Sequence, residues 1–422
     1  MRRRRLLVLL GCVFVAMIGF GITLPVLPFY TERLVLRGHA SPADVAMQVG
    51  LLTAVYPLLQ LVFAPLWGHW SDTLGRRRLV LIGIGGAAAT QFLFALATSL
   101  ELLYAARVLG GVLSSAIFPA AAAYVADSTS DEERGRGMAW LGTAVSLGAV
   151  VGPALGGGLA RATWRLPWPG GTAIVSGFAV PFLAAAALAL AALVAAAVWL
   201  PESRPVVPRA NVSVGGRARR AAGRRFLRLL LGLAFAGQFG LAMFETTFAL
   251  YAKQMWRYGP AQVGVTFMVC GLVMAVAQAG ATGALARRVG ELRQIAVGFG
   301  LVGAGLALLP LAPSTPLVLL TVAALAAGLG LIAPNLATLV SRRAGRRTGA
   351  TLGAQSAANS LGQVGGTLLG GVLFAWQMEA PYVAAAALLL TVGVALGWRM
   401  RGSPPAVPAA AANIVRGATP GR

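Results

Sequence analysis

Arg107 and Glu245 are the two ionisable residues that stand deep inside long apolar runs of this 422-residue chain. A charge in hydrocarbon costs several kcal/mol unless it is paired or solvated, so each is a functional hypothesis by default. At about 1.5 Å per helical residue, each lies about 10 Å below the outer end of its own run. A carboxylate held at that depth, and exposed first to one side and then to the other, can take up a proton and release it across the barrier. The expected chemistry is proton coupling, with Glu245 as the acid. Covalent catalysis has no support in the sequence: no intramembrane nucleophile stands beside a base, and no paired acids or clustered metal ligands occur. No phosphate-binding GxxxxGK[ST] loop occurs either, which disfavours a primary pump and leaves ion gradients as the energy source.

A second charged group interrupts the apolar pattern. "GHWSDTLGRRR" at 68–78 places Gly68, Asp72, Gly75, Arg76, Arg77 and Arg78 between two hydrophobic stretches. Polar groups that could orient a ligand lie farther along: Gln238, Asn335, and the run Gln355, Asn359, Gln363, whose spacing of four puts them on one helix face. Phe235, Phe239, Phe244, Phe248 and Tyr251 crowd the run that holds Glu245. Aromatic walls with few polar groups suit a lipophilic ligand, a cationic one included.

These residues need long helices to position them. The chain is 58% hydrophobic and 11% charged, too apolar for an ordinary soluble domain. About 20 largely apolar residues cross a bilayer, and twelve such spans are expected: 6–30, 45–70, 78–98, 101–127, 135–161, 174–200, 226–252, 261–286, 293–312, 315–341, 348–376 and 380–400. Helices are expected throughout, because lipid satisfies no backbone hydrogen bonds. The N-terminal Arg2–Arg5 and the apolar run after them imitate a signal peptide, but no small-residue cleavage site follows, so the run is expected to be a retained span.

The formal charge of +23 invites a nucleic-acid partner until the charges are placed. With a cytoplasmic N-terminus, Arg33, Arg37, Arg161, Arg165, Lys253 and Arg257 fall outside and Arg107 falls within a span. Every other basic residue falls on the cytoplasmic side, which is the positive-inside asymmetry. No nucleic acid is needed to explain it. Cys12 and Cys270 lie in apolar runs and His39 and His69 in short connections, so neither a disulfide nor a metal site is expected.

The segment 201–225, rich in Pro, Gly and Arg, reads as a cytoplasmic linker between a bundle at 1–200 and a second at 226–401. The tail at 402–422 is expected to be disordered. The halves echo each other: Gly68 answers to Gly283 and Pro119 to Pro334, both 215 positions apart, and "GAVVGPALGG" at 148–157 answers to "GQVGGTLLGG" at 362–371. The fold class is therefore an all-α polytopic membrane protein, twelve transmembrane helices in two pseudo-symmetric six-helix bundles. In this register Asp72 corresponds to Arg287 and Asp127 to Arg342. Opposite charges on the two cytoplasmic rims describe a gate. Gly148, Gly152 and Gly156 share one helix face where backbones approach closely, Pro153 kinks the helix beside them, and with Gly157 they are expected to seal a contact between the halves.

"GHWSDTLGRRR" resembles the loop between the second and third spans of the major facilitator superfamily. "RVLGG" at 107–111 resembles its fourth-span motif, "GAVVGPALGG" its antiporter fifth-span motif, and "GFGITLPVLPFY" at 19–30 the first-span motif of the twelve-span drug:proton antiporter branch, which includes tetracycline and multidrug exporters. The chain departs from the pattern at Thr73, Arg78 and Ala139, and its first span carries no mid-membrane acid; Glu32 lies at the outer end. The resemblance implies that Asp72 caps the eleventh helix near Thr348 and Gly349 and that Arg76 pairs with Asp127, holding the cytoplasmic gate shut. It also implies that the first, fourth, seventh and tenth helices line a central cavity, across which Arg107 faces Glu245.

The expected function is proton-coupled export of lipophilic drugs or related small molecules by alternating access. The alternative is a proton-coupled carrier, importer or exporter, of one metabolite. Expected partners are a small lipophilic substrate, protons and the lipid bilayer. No cofactor is expected beyond the proton gradient, and the setting is a monomer in a bacterial cytoplasmic membrane with both termini inside.

Overall fold

The computed structural model describes residues 2–36, 41–129, 131–160, 163–168, 171–203, 217–282, 289–344 and 348–401. The first half contains α1 (Arg2–Val35), α2 (Pro42–Leu74), α3 (Arg76–Ala95), α4 (Leu100–Leu113), α5 (Ile117–Ser128), α6 (Asp131–Leu159) and α7 (Ala179–Trp199). The second contains α8 (Arg217–Trp256), α9 (Pro260–Thr282), α10 (Glu291–Leu308), α11 (Thr315–Ala344), α12 (Thr348–Trp376) and α13 (Ala380–Arg401). Counting α4 and α5 as one span gives twelve. Eleven are long and apolar enough to cross a membrane on those grounds alone. The twelfth, α12, is 29 residues long and carries Gln355, Asn359 and Gln363.

Local sequence explains the starts and interruptions. Ser41 caps α2 in a reciprocal pair with Asp44, satisfying two end donors. The fourth span unwinds into a 3-10 turn at Ser114–Ala116 between α4 and α5. Pro119, just beyond, has no N–H, and its ring crowds the carbonyl of Ser115, so the regular ladder breaks there. Such a break is tolerated at membrane depth only where it lines a cavity or is covered by protein. Here the Val112 carbonyl is taken by Ser115 Oγ at 2.9 Å and Trp67 Nε1 at 2.6 Å.

Two boundaries differ from expectation. α8 begins at Arg217, inside the stretch expected as linker, because "RARRAAGRR" consists mostly of good helix formers. Between α6 and α7 the chain forms a short antiparallel pair, β1 (Thr163–Trp168) and β2 (Gly171–Ser176), with Thr163 opposite Ser176. This pair lies outside the spans, and among the described residues the spans themselves are all helical. Residues 204–216 of the linker and the tail at 402–422, with its expected disorder, lie outside the described residues.

The arginine-rich end is taken here as cytoplasmic. The halves meet at the opposite, outer end. Phe29, Val45, Ala46 and Val49 of α1 and α2 are buried in one cluster with Phe244, Phe248 and Tyr251 of α8. Gly50 of α2 and Gly371 of α12 lie so close that a Cβ on either would come within about 3 Å of the other's backbone. A Cβ on Gly157 of α6 would come within 3.0 Å of Gly264 of α9. Lys253 Nζ donates to Glu32 Oε2 at 2.5 Å across the halves. Toward the cytoplasmic end, Gly68, Gly142, Gly280 and Gly353 have nothing within 4 Å of where a side chain would begin. Among the described residues the closest contacts between the halves gather at the end that carries Lys253 and Glu32.

This geometry corrects the expected role of the fifth-span glycines. Gly148, Gly152 and Gly156 face α1, not the second half: side chains there would strike Met17, Ile18, Gly21 and Ile22. They seat α6 on α1 within one bundle. The contact between halves belongs to the adjacent face, where the carbonyl of Pro153 and the backbone of Gly157 meet Gly264, and Val150 meets Gly271.

Gly152→Val puts side-chain atoms where Ile18 and Gly21 backbone lies at 2.7–2.8 Å from a Cβ. Overpacking of this kind costs about 1–3 kcal/mol. A lowered melting temperature of the purified protein is expected, whereas Gly142→Ala, facing open space, should leave it unchanged.

Candidate functional site

A cavity of about 230 Å³ lies at mid-depth in the first half. Its wall is built by Met17, Phe20 and Thr23 of α1, Tyr56 and Gln60 of α2, Thr90, Gln91 and Phe94 of α3, and Arg107, the unwound Ser114–Ser115 and Phe118 of the fourth span, with Gln363 reaching in from α12. Thus one wall residue comes from the second half. The break at Ser114 is what turns α4 and α5 around this space.

Arg107 is 6% exposed. Its guanidinium carbon lies 5.6 Å from the Phe94 ring centroid, and Tyr56 lines the same cavity. Its Nε is buried without a hydrogen-bond partner, as are Thr90 Oγ1 and Gln91 Oε1 of the same cavity.

Glu245 sits half-buried on α8. Cys270 of α9 is the titratable neighbour that feels its charge, and among the described residues no cation pairs with it. The expected Arg107–Glu245 confrontation is therefore corrected: one lies in the first-half cavity beside Tyr56, the other against α9. The error came from equal depth, which says nothing about the direction each helix face points.

The tentative ligand residues divide. Phe239 stacks on Phe235 with ring centroids 5.8 Å apart and lies against Gly365 of α12. Gln238, Gln355 and Asn359 are half-buried, and Gln355 Oε1 has no hydrogen-bond partner. Phe248 is fully buried among Phe244 and Phe267, as aromatic packing favours, so it is core. Asn335 gives its amide to Gln294 Oε1 at 3.0 Å and to the Leu331 carbonyl at 2.7 Å. It fastens α11 to α10 and does not line the cavity described above.

At the cytoplasmic rim, Arg76 Nε meets Asp127 Oδ2 at 3.0 Å, with the two side chains only 10% and 6% exposed. Arg76 Nη1 also donates to Ser71 Oγ at 2.6 Å. The second half repeats this pair with the charges exchanged: Arg342 Nη1 donates to Glu291 Oε1 at 2.5 Å. Each pair joins residues 51 apart, and Glu291 and Arg342 each stand 215 positions after Arg76 and Asp127. The side chains of Asp72, Arg287, Thr348 and Gly349 lie outside the described residues, and with them the expected cap of α12.

Glu202 is absent from the sequence reading. Its carboxylate accepts from the Arg77 backbone N–H at 3.1 Å, at the N-terminus of α3, where the helix dipole favours an anion. Gly75 turns with φ 93°, and a Cβ there would lie 2.7 Å from the Glu202 carboxyl carbon. Arg77 Nη2 donates to the Ala197 carbonyl at 2.6 Å. The available signal was a lone acid directly after the sixth span in an otherwise basic segment.

Two helical bundles of membrane-spanning length around a partly polar cavity, joined toward one end, define a polytopic membrane carrier. The chain belongs to the Major Facilitator Superfamily, whose profile matches residues 9–364 and again 282–416. It is 30% identical to multidrug resistance protein 1 of Bacillus subtilis (strain 168) over 397 residues, 93% of this chain and 96% of that one. It is 32% identical to the class G tetracycline resistance protein of Vibrio anguillarum, over 83% of this chain and 85% of that one. The fold superposes with a TM-score of 0.69 on an inward-facing, unoccupied bacterial homologue of the human lysosomal transporter Spinster, at 15% identity and 94% coverage of both chains.

Removing one partner of the buried rim pair, as in Asp127→Ala, takes the carboxylate from the Arg76 Nε–H and is expected to cost on the order of 3 kcal/mol, read as a lower melting temperature. The exchange Arg76→Glu with Asp127→Arg should recover most of it, because the second half runs the pair in that polarity. At the outer end Lys253 is 44% exposed, so Lys253→Gln should raise the outward-open population only a few-fold. Spin-label distances between the outer ends of α2 and α12 measure that shift.

Proposed function

We propose that this chain exports lipophilic small molecules across a bacterial cytoplasmic membrane in exchange for protons, with both termini on the cytoplasmic side. The single observation that carries this reading is Glu245, a half-buried carboxylate within a span, with no cation against it among the described residues. Such a group changes its proton occupancy as its surroundings change from lipid-like to aqueous. The likeness to multidrug and tetracycline resistance proteins over nearly the whole chain supports drugs as cargo and export as direction.

In this cycle the inward-parted form takes cargo from the cytoplasmic side into the cavity beside Arg107. Closure at the rim brings the halves together around Asp72, with the Arg76–Asp127 pair keeping α3 and α5 in register behind it. Opening outside separates Gly50 from Gly371, Gly157 from Gly264, and Lys253 from Glu32. Proton entry at Glu245 from the outer side resets the carrier. The energy source is the proton gradient, and no cofactor takes part.

In everted vesicles with an acidic lumen, adding a transported drug should trigger proton release, and Glu245→Gln should abolish it. Unchanged release in that variant would remove Glu245 from the proton path, and no release with any compound would favour a metabolite carrier. Asp72→Asn should insert normally yet lose most of its transport; full activity would remove Asp72 from the gate.

A further inference from the structure

The first-half cavity is built for a charge opposite to the one its aromatic walls suggest. Its one ionised group is the Arg107 guanidinium, and neither an aspartate nor a glutamate is among the residues that line it. A guanidinium stays charged in proteins and only donates hydrogen bonds. An aromatic face softens the cost of burying it, as Phe94 does here, but nothing in the cavity supplies an acceptor that meets its Nε–H.

Two further polar groups stand beside it in the same condition. Thr90 is 7% exposed and Gln91 6%, and the Thr90 hydroxyl and Gln91 carbonyl oxygen are buried without partners. Among the described residues Thr31 at the end of α1 is the other threonine whose hydroxyl is buried without a partner, and it lies outside this cavity. Helical threonines commonly return their hydroxyl to the carbonyl four residues back, as Thr23, Thr246, Thr247, Thr266 and Thr338 do. Thr90 has the same option and does not take it. Gln91 is accommodated by Gly19, where a Cβ would lie 2.6 Å from its amide nitrogen. Three buried polar groups without partners, on two helices facing one space, are expensive unless a ligand completes them.

We propose that this cavity is the binding subsite for an acidic head group, and that the preferred cargo is an amphiphilic aromatic carboxylate. This rests on the exporter reading above and replaces the cationic ligand suggested by the aromatic residues of α8. The carboxylate takes charge-assisted bonds from Arg107 and a hydroxyl bond from Thr90. Gln91, whose amide can present either end, bonds a neighbouring carbonyl or N–H of the same ligand. The aromatic body lies between Phe20, Phe94 and Phe118. At about 230 Å³ the space is below the ~300 Å³ at which drug-sized pockets begin. It therefore holds the head and the adjoining ring while the rest of the molecule extends past Gln363 toward the second half.

The test is equilibrium binding to the purified full-length chain in lipid nanodiscs, by calorimetry. Three probes are used: a quinolone carboxylic acid, its ethyl ester, and tetraphenylphosphonium. The acid is expected to bind at least about tenfold more tightly than the ester or the phosphonium. Arg107→Gln should erase the difference between acid and ester while leaving ester binding in place. Thr90→Val, a near-isosteric change, should weaken the acid several-fold and leave the ester untouched, which keeps the test open if the arginine variant fails to fold. Equal affinity for acid and ester, no binding of the acid, or an acid preference that survives Arg107→Gln would overturn the proposal.

Proton release in vesicles separates this from the exporter reading. An acid preference in nanodiscs with no proton release by the acid would sink drug:proton exchange and leave the subsite standing. Proton release triggered by the phosphonium, with no acid preference, would do the reverse.

Discussion

The structure depends on how closely two backbones can approach inside a medium that gives helices no hydrophobic reason to associate. Lipid is as apolar as leucine, so the halves cannot be driven together by burial as a soluble dimer is. Their closest backbone approaches come where side chains are absent: Gly50 against Gly371, and Gly157 against Gly264. Each crossing lets main-chain atoms pack at van der Waals distance, and each lies toward the outer end. The mid-depth cavity and the two rim pairs lie on the arginine-rich side of these crossings. The same device serves a different purpose one helix face away, where Gly148, Gly152 and Gly156 weld α6 to α1 and keep the first bundle rigid while the crossings change.

Electrostatics follows that division. Within each half the rim carries a buried or half-covered ion pair, Arg76–Asp127 and Glu291–Arg342, equivalent in position and opposite in polarity. Among the described residues the ion pair that bridges the halves is Lys253–Glu32, at the closed end. The rim pairs therefore brace the bundles from inside in this conformation, and the bridging pair marks which end is shut.

The twelve spans, their order and the two-bundle plan were legible because the bilayer imposes a length and an apolarity that few other constraints imitate. The Arg76–Asp127 pair was implied by the family resemblance of the rim motif. What escaped was orientation. Depth along a helix can be counted from sequence, but azimuth cannot when nearly every face is apolar. So Arg107 and Glu245 were set opposite each other, the α6 glycines were aimed at the wrong neighbour, and Asn335 was given to a ligand when it belongs to Gln294. The α8 start at Arg217 was hidden by arginines that read equally well as linker or as helix.

Glu202 and Ser203, directly after α7, fasten the end of the first bundle to its rim. Glu202 holds the first turn of α3 through Arg77, and Ser203 Oγ donates to Asp127 at 3.4 Å, the carboxylate that also holds Arg76. The chain leaves for the second bundle directly from this point. The last residues of the first bundle are thus clasped to the bundle's own rim, at the Arg76–Asp127 pair and the N-terminus of α3, before the chain continues toward the second bundle.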